Sequence, residues 1–143
     1  MTVKAILSLK GCDVATIEPA ASLAAAAEVL AERRIGALVV MDSANRLAGI
    51  LSERDIVRAL AERGAAALDE RLDQAMTRSI VTCTEAMTVS EIMKRMTAGK
   101  FRHIPVVEFG RLVGIVSIGD VVKHRLATMQ HESQSMREYV LAT

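Results

Sequence analysis

Apolar positions along the chain follow two periods, and the periods alternate in the same order twice. Leu23, Ala26, Ala27 and Leu30 stand at i, i+3, i+4 and i+7, and Val89, Ile92, Met93 and Met96 repeat that spacing, so each set predicts one apolar helix face. After each helix comes a short β-branched run, Ala37 to Met41 or Ile104 to Val107, then a turn at Ser43 to Asn45 or at Phe109 and Gly110. A second apolar strand follows, Leu47 to Leu51 or Leu112 to Val116, and a last helix opens at Ser52 or Ser117. With a strand at the start, each unit reads β-α-β-β-α. Gly64 is placed to cap the closing helix of the first unit.

The two units are copies. TIEPAASL from Thr16 aligns with TCTEAMTV from Thr82, and IGALVVMD from Ile35 with FRHIPVVE from Phe101, both at a shift of 66 positions. One residue is lost in the turn, so RLAGILSERDIV from Arg46 meets RLVGIVSIGDVV from Arg111 at a shift of 65. A unit of about 60 residues hides only ~60% of the surface its unfolded chain exposes, so the copies are expected to pack on each other about a pseudo-twofold axis. The fold class is α+β. The boundaries read 1–65 for the first repeat, 66–126 for the second and 127–143 for a C-terminal helical tail, with Glu62 to Arg71 as the connector.

Composition agrees with an ordinary globular chain of 143 residues, 51% hydrophobic and 24% charged. Eighteen basic and seventeen acidic residues leave a formal charge of +1, so no overall field draws the chain to nucleic acid or anionic lipid. Only 2% of residues are aromatic and Trp is absent, which removes the stacking platforms of single-strand binders. The apolar stretch in MTVKAILSLKG is too short for a signal-peptide core, and no run approaches ~18 consecutive apolar residues. A soluble, cytoplasmic protein is expected, with no nucleic-acid or membrane partner. Cys12 and Cys83 form no CxxC and have no nearby histidine pattern, so they read as packing residues, and no metal or disulfide is indicated. GxGxxG, GxxxxGK[ST] and GxSxG are all absent, so no catalytic residues are assigned.

Strand, helix, strand, strand, helix ending in GILSERD or GIVSIGD, with KFRHIPVV at Lys100 to Val107, resembles the CBS domain. The pair resembles a Bateman module, as a stand-alone bacterial-type CBS domain protein, from Val3 to about Leu126. The resemblance implies no catalysis and no catalytic cofactor. It implies an adenine nucleotide, AMP, ADP, ATP or NAD(H), or else S-adenosylmethionine, as a regulatory ligand in clefts between the repeats, and a homodimer.

Ser52 and Asp55, like Ser117 and Asp120, stand three apart where a strand enters a helix. That spacing makes a capping box, and it also holds an ionised two-oxygen acceptor where vicinal ribose hydroxyls need one. The two roles are compatible. Helix starts favour phosphates, and Arg54 adds a cation where the second copy has Gly119. Arg102 and His103 stand where the first copy has Gly36 and Ala37; by the resemblance they face phosphates, and otherwise they are a solvated charge and a core-edge histidine. The resemblance lays the base against the opening strand of the opposite repeat: Cys12, Asp13 and Val14 toward Asp120, and Ser79, Ile80 and Val81 toward Asp55. Pro105 suits an edge strand. In the tail, Leu126 to Met129 and Met136 to Val140 have helical spacing about a polar middle, His131 to Ser135, and are expected to pack on the module or on a second chain.

The expected function is a regulatory sensor that binds an adenine nucleotide between the repeats and relays its state by conformational change. The alternatives are a purely structural dimerisation module, and a regulatory subunit of a separately encoded enzyme or transporter.

Overall fold

In the computed structural model, which describes residues 1–142, the chain runs α1 (Val3–Lys10), β1 (Thr16–Ile17), α2 (Leu23–Arg33), β2 (Ala37–Met41), β3 (Leu47–Ser52) and α3 (Glu53–Arg63). Two short 3-10 turns follow, then α4 (Val89–Gly99), β4 (His103–Glu108), β5 (Arg111–Ser117) and α5 (Ile118–Ala142). Side-chain caps set the helix starts: Ser22 Oγ accepts from the Ala25 N–H at 3.1 Å and Thr88 Oγ1 from the Glu91 N–H at 3.1 Å. Gly64, at φ 69°, ends α3 by donating to the Leu60 carbonyl.

The repeat is visible in the ladders. In the first unit β1 lies parallel to β2, with Ile17 opposite Val40, and β2 lies antiparallel to β3. The second unit shortens its first strand to a single parallel bridge, Cys83 opposite Val106, beside the antiparallel β4–β5 pair. The bulges recur at matching places, Val40/Met41 and Val106/Val107. Pro105 is not on a free edge, because its carbonyl accepts the Cys83 N–H at 3.0 Å. Its missing N–H is tolerated because pairing on that side is only one bridge long.

The cores trade segments between the halves. Val3, Ile6 and Leu7 of α1 are buried with Val89, Ile92, Ile104 and Val116 of the second unit, and the Val3 N–H donates to the Met87 carbonyl. Ala67, Leu72 and Met76 are buried with Leu23, Leu38 and Leu51 of the first, and Ile50 and Thr77 exchange both backbone hydrogen bonds. The connector is therefore a structural part of the first core and reaches to Thr77, because Leu72 and Met76 have apolar surface to bury. The two motif glycines make room for these segments: a Cβ on Gly49 would stand 2.7 Å from Met76 Sδ, and one on Gly114 2.7 Å from Leu7 Cδ2.

Three points extend or change the sequence reading. The helix expected over the 127–143 tail starts earlier, since α5 continues unbroken from Ile118 to Ala142, and Thr143 lies outside the described residues. Residues Val3–Lys10, which the strand and helix patterns left without an element, form α1. Cys12 is not a packing residue; it lies exposed in the loop between α1 and β1, outside both cores, whereas Cys83 is buried and its thiol is pushed up to about 11 by that burial. No helix among the described residues is long and apolar enough to cross a membrane.

Candidate functional site

Ser117 ends β5 and Asp120 lies in the first turn of α5. The Ser117 N–H donates to Asp120 Oδ2 at 2.9 Å, and the Asp120 N–H donates to Ser117 Oγ at 3.1 Å, which fixes the carboxylate at the helix start. Lys10, the last residue of α1, donates from Nζ to the same Oδ2 at 2.7 Å and to the Ile115 carbonyl at 2.9 Å. Oδ1 is left as an acceptor with no protein donor among the described residues. Burial raises the Asp120 carboxyl, but the Lys10 ammonium and the Ser117 N–H outweigh it and hold the group below its ordinary value.

This carboxylate opens into a cleft of about 610 Å³ to which both repeats contribute. Its apolar wall is Val14, Ala15, Ile35, Ala37 and Ile115, and its cations are Lys10, Arg33 and Arg34. Arg33 reaches Asp13 at 4.0 Å, whereas Arg34 has no ion-pair partner among the described residues. Arg34 is held at φ 54°, a left-handed conformation costly for a side chain with a Cβ, in the same place in the repeat as Lys100 at φ 56°. His103 stands at the join between the halves, where Gly36 leaves it space: a Cβ there would lie 3.2 Å from His103 Cε1. Burial lowers its imidazole, against the pull of Glu53 and Asp120, so it faces the cleft as a neutral ring.

The matching acid is placed differently. Asp55 is only 6% exposed, and its Oδ2 takes both the N–H and the hydroxyl of Ser52, at 2.9 and 3.2 Å. Arg58 lies 3.7 Å from its Oδ1. Ser52 and Asp55 thus complete a capping box with the carboxylate almost fully buried.

Of the residues singled out from the sequence, Asp13, Val14, His103, Ser117 and Asp120 come together in the one cleft. Cys12 lies outside its lining. Arg54 and Arg102 share a separate depression of about 400 Å³ with Lys100 and Phe101. Ser79, Ile80 and Val81, expected toward Asp55, follow the connector with Ser79 and Val81 exposed. Lys10, Arg33 and Arg34 were not anticipated. The signals existed: Lys10 closes a stretch whose Val3, Ile6 and Leu7 have helical spacing, and Arg34 occupies the place that Lys100 holds in KFRHIPVV.

The sequence profile of the CBS domain matches residues 3–62 and again 72–127. The chain belongs to the CBS domain family. A CBS-domain-containing protein from Agrobacterium tumefaciens superposes with a TM-score of 0.85 at 48% identity, covering 87% of this chain and 92% of that one. The CBS domain pair of protein MJ0100, in complex with 5-methylthioadenosine and S-adenosyl-L-methionine, matches with a TM-score of 0.80 at 28% identity over 90% of this chain and 98% of its own. A CBS domain protein from Pyrobaculum aerophilum complexed with AMP matches at 0.76 and 28%, over 90% and 99%. The chain spans 39 to 66% of the length of the first curated relatives it matches. As in those structures, the fold is two tandem CBS repeats, a module that in solved relatives holds adenosine compounds.

Proposed function

We propose that this CBS pair is a regulatory module that binds one adenine nucleotide in the Asp120 cleft and relays its presence by fixing the two repeats relative to each other. The observation that carries the reading is the composition of that cleft: a free carboxylate oxygen for a sugar hydroxyl, an apolar wall for a base, and three cations for phosphate, all in one cavity. The relatives that hold AMP and S-adenosylmethionine support an adenosine ligand. Three cations to two carboxylates favour AMP, ADP, ATP or NAD(H) over the cationic sulfonium of S-adenosylmethionine. Ile35 and Gly36 come from one repeat and Ile115 and Asp120 from the other, so a bound nucleotide touches both and favours the arrangement in which both reach it. No step of this reading needs catalysis. A cytoplasmic homodimer serving a separately encoded enzyme or transporter is its natural setting.

Calorimetric titration with AMP, ATP, NADH and S-adenosylmethionine tests the reading. A phosphate-bearing ligand should release or take up heat, and silence from all four would leave a purely structural dimerisation module. Asp120→Ala should weaken AMP by about 1.5 to 3 kcal/mol, the usual worth of hydrogen bonds to a charged group, and weaken a 2′-deoxy analogue less. Equal losses for the two would remove Asp120 from the sugar.

A further inference from the structure

Beyond the nucleotide cleft, the long last helix carries a pattern with no role in either repeat. Val121, His124 and Thr128 take the face of α5 that meets the body. Val122, Leu126, Met129, Met136 and Val140 are 48 to 67% exposed. With Ser133 they fall at alternating spacings of four and three, a heptad seam some 120° around the helix from the body-facing side, at about 100° per residue. The seam runs roughly 27 Å along the axis, at about 1.5 Å per residue. An apolar stripe this long, on a helix that leaves its own domain, fits another helix.

Charge decides which helix. With Leu126, Ser133 and Val140 at a, and Val122, Met129 and Met136 at d, Glu132 falls at g and Arg137 at the following e. The two are five residues apart, about 140° around one helix, and so cannot pair within it. Neither has an ion-pair partner among the described residues. Two parallel copies place Glu132 beside Arg137 of the other on both sides of the seam. Antiparallel copies in register set Glu132 against Glu132 and Lys123 against Arg137. The seam therefore matches itself in one direction only.

We propose that α5 pairs in parallel with α5 of a second copy of this chain, as a short two-stranded coiled coil flanked by reciprocal Glu132–Arg137 ion pairs. Ser133, a polar residue at a, lies next to its own copy across the axis and fixes the register.

The test is oxidative cross-linking of the full chain carrying Ser133→Cys. Parallel pairing brings the two Cα atoms within the disulfide range of about 4.4 to 6.8 Å, so covalent dimer should form at least tenfold above the unaltered chain, whose exposed Cys12 sets the background. Glu132→Arg in the same chain should cut the yield several-fold, and adding Arg137→Glu should restore it. Dimer no more abundant than background overturns the proposal, as antiparallel pairing or a dimer formed through another face would give. So does a yield indifferent to Glu132→Arg. Met136→Glu, at an exposed seam position, should leave far-ultraviolet circular dichroism nearly unchanged while abolishing the cross-link, which separates loss of pairing from loss of fold. None of these variants touches the nucleotide cleft, so calorimetry on them reports the earlier proposal independently.

Discussion

The two acids that begin the closing helices have the same neighbours in sequence and different ones in space. Asp55 is closed in by Ser52 and Arg58, while Asp120 shares one oxygen with Lys10 and keeps the other open. The motif S-x-x-D made the cap legible in both copies. It could not tell them apart, because Lys10 lies 110 positions from Asp120. The Lys10–Asp120 pair also makes a prediction about acid. A carboxyl held below its ordinary value of 3.8 contributes stability that is fully present above that value and lost as pH falls through the folded-state value. Lys10→Met should therefore lower stability by about 1 to 2 kcal/mol at pH 7, the worth of a charged hydrogen bond discounted for partial exposure. The deficit should shrink below pH 3.8, as urea midpoints at pH 7 and pH 3 would show. A deficit constant across that range would mean that Lys10 acts by packing alone.

At the scale of elements, periodicity placed α2, α4, both hairpins and the starts of α3 and α5 to within a residue or two, because each buries one face on a local partner. What escaped it were the segments whose partners are distant. The eight residues of α1 resemble a short apolar run, and their helix is justified only by the core of the other half. Arg54 and Arg102, read as phosphate ligands from their neighbours in sequence, line a depression of their own with Lys100 and Phe101, which only the fold brings together. Leu7 supplies the test of the exchanged segments, being buried against Gly114. Leu7→Ala should cost about 2 to 5 kcal/mol. Hydrogen exchange should show the loss of protection concentrated in α4, β4 and β5, with β2 and β3 less affected. Uniform loss over both units would contradict the division into two cores.

For the whole molecule, the cleft lies where the halves meet, so ligand and architecture act on the same coordinate. AMP at one hundred times its dissociation constant should stabilise the folded chain by ~2.7 kcal/mol. Because Arg34 to Ala37 and Ile115 to Asp120 line one cavity, exchange should slow in both segments together. Slowing in only one of them would mean that the ligand rests on a single repeat and has no means to report their relative position.

The trade of segments between the cores also bears on how the polypeptide matures. A helix made before either repeat seals the half made second, with Leu7 against a glycine more than a hundred positions later. α1 must wait, its apolar side uncovered, until the β4–β5 hairpin emerges, whereas the first half is complete once Thr77 has been added. Synthesis in that order should leave an interval of vulnerability to aggregation or proteolysis, ended when α1 meets the β4–β5 hairpin.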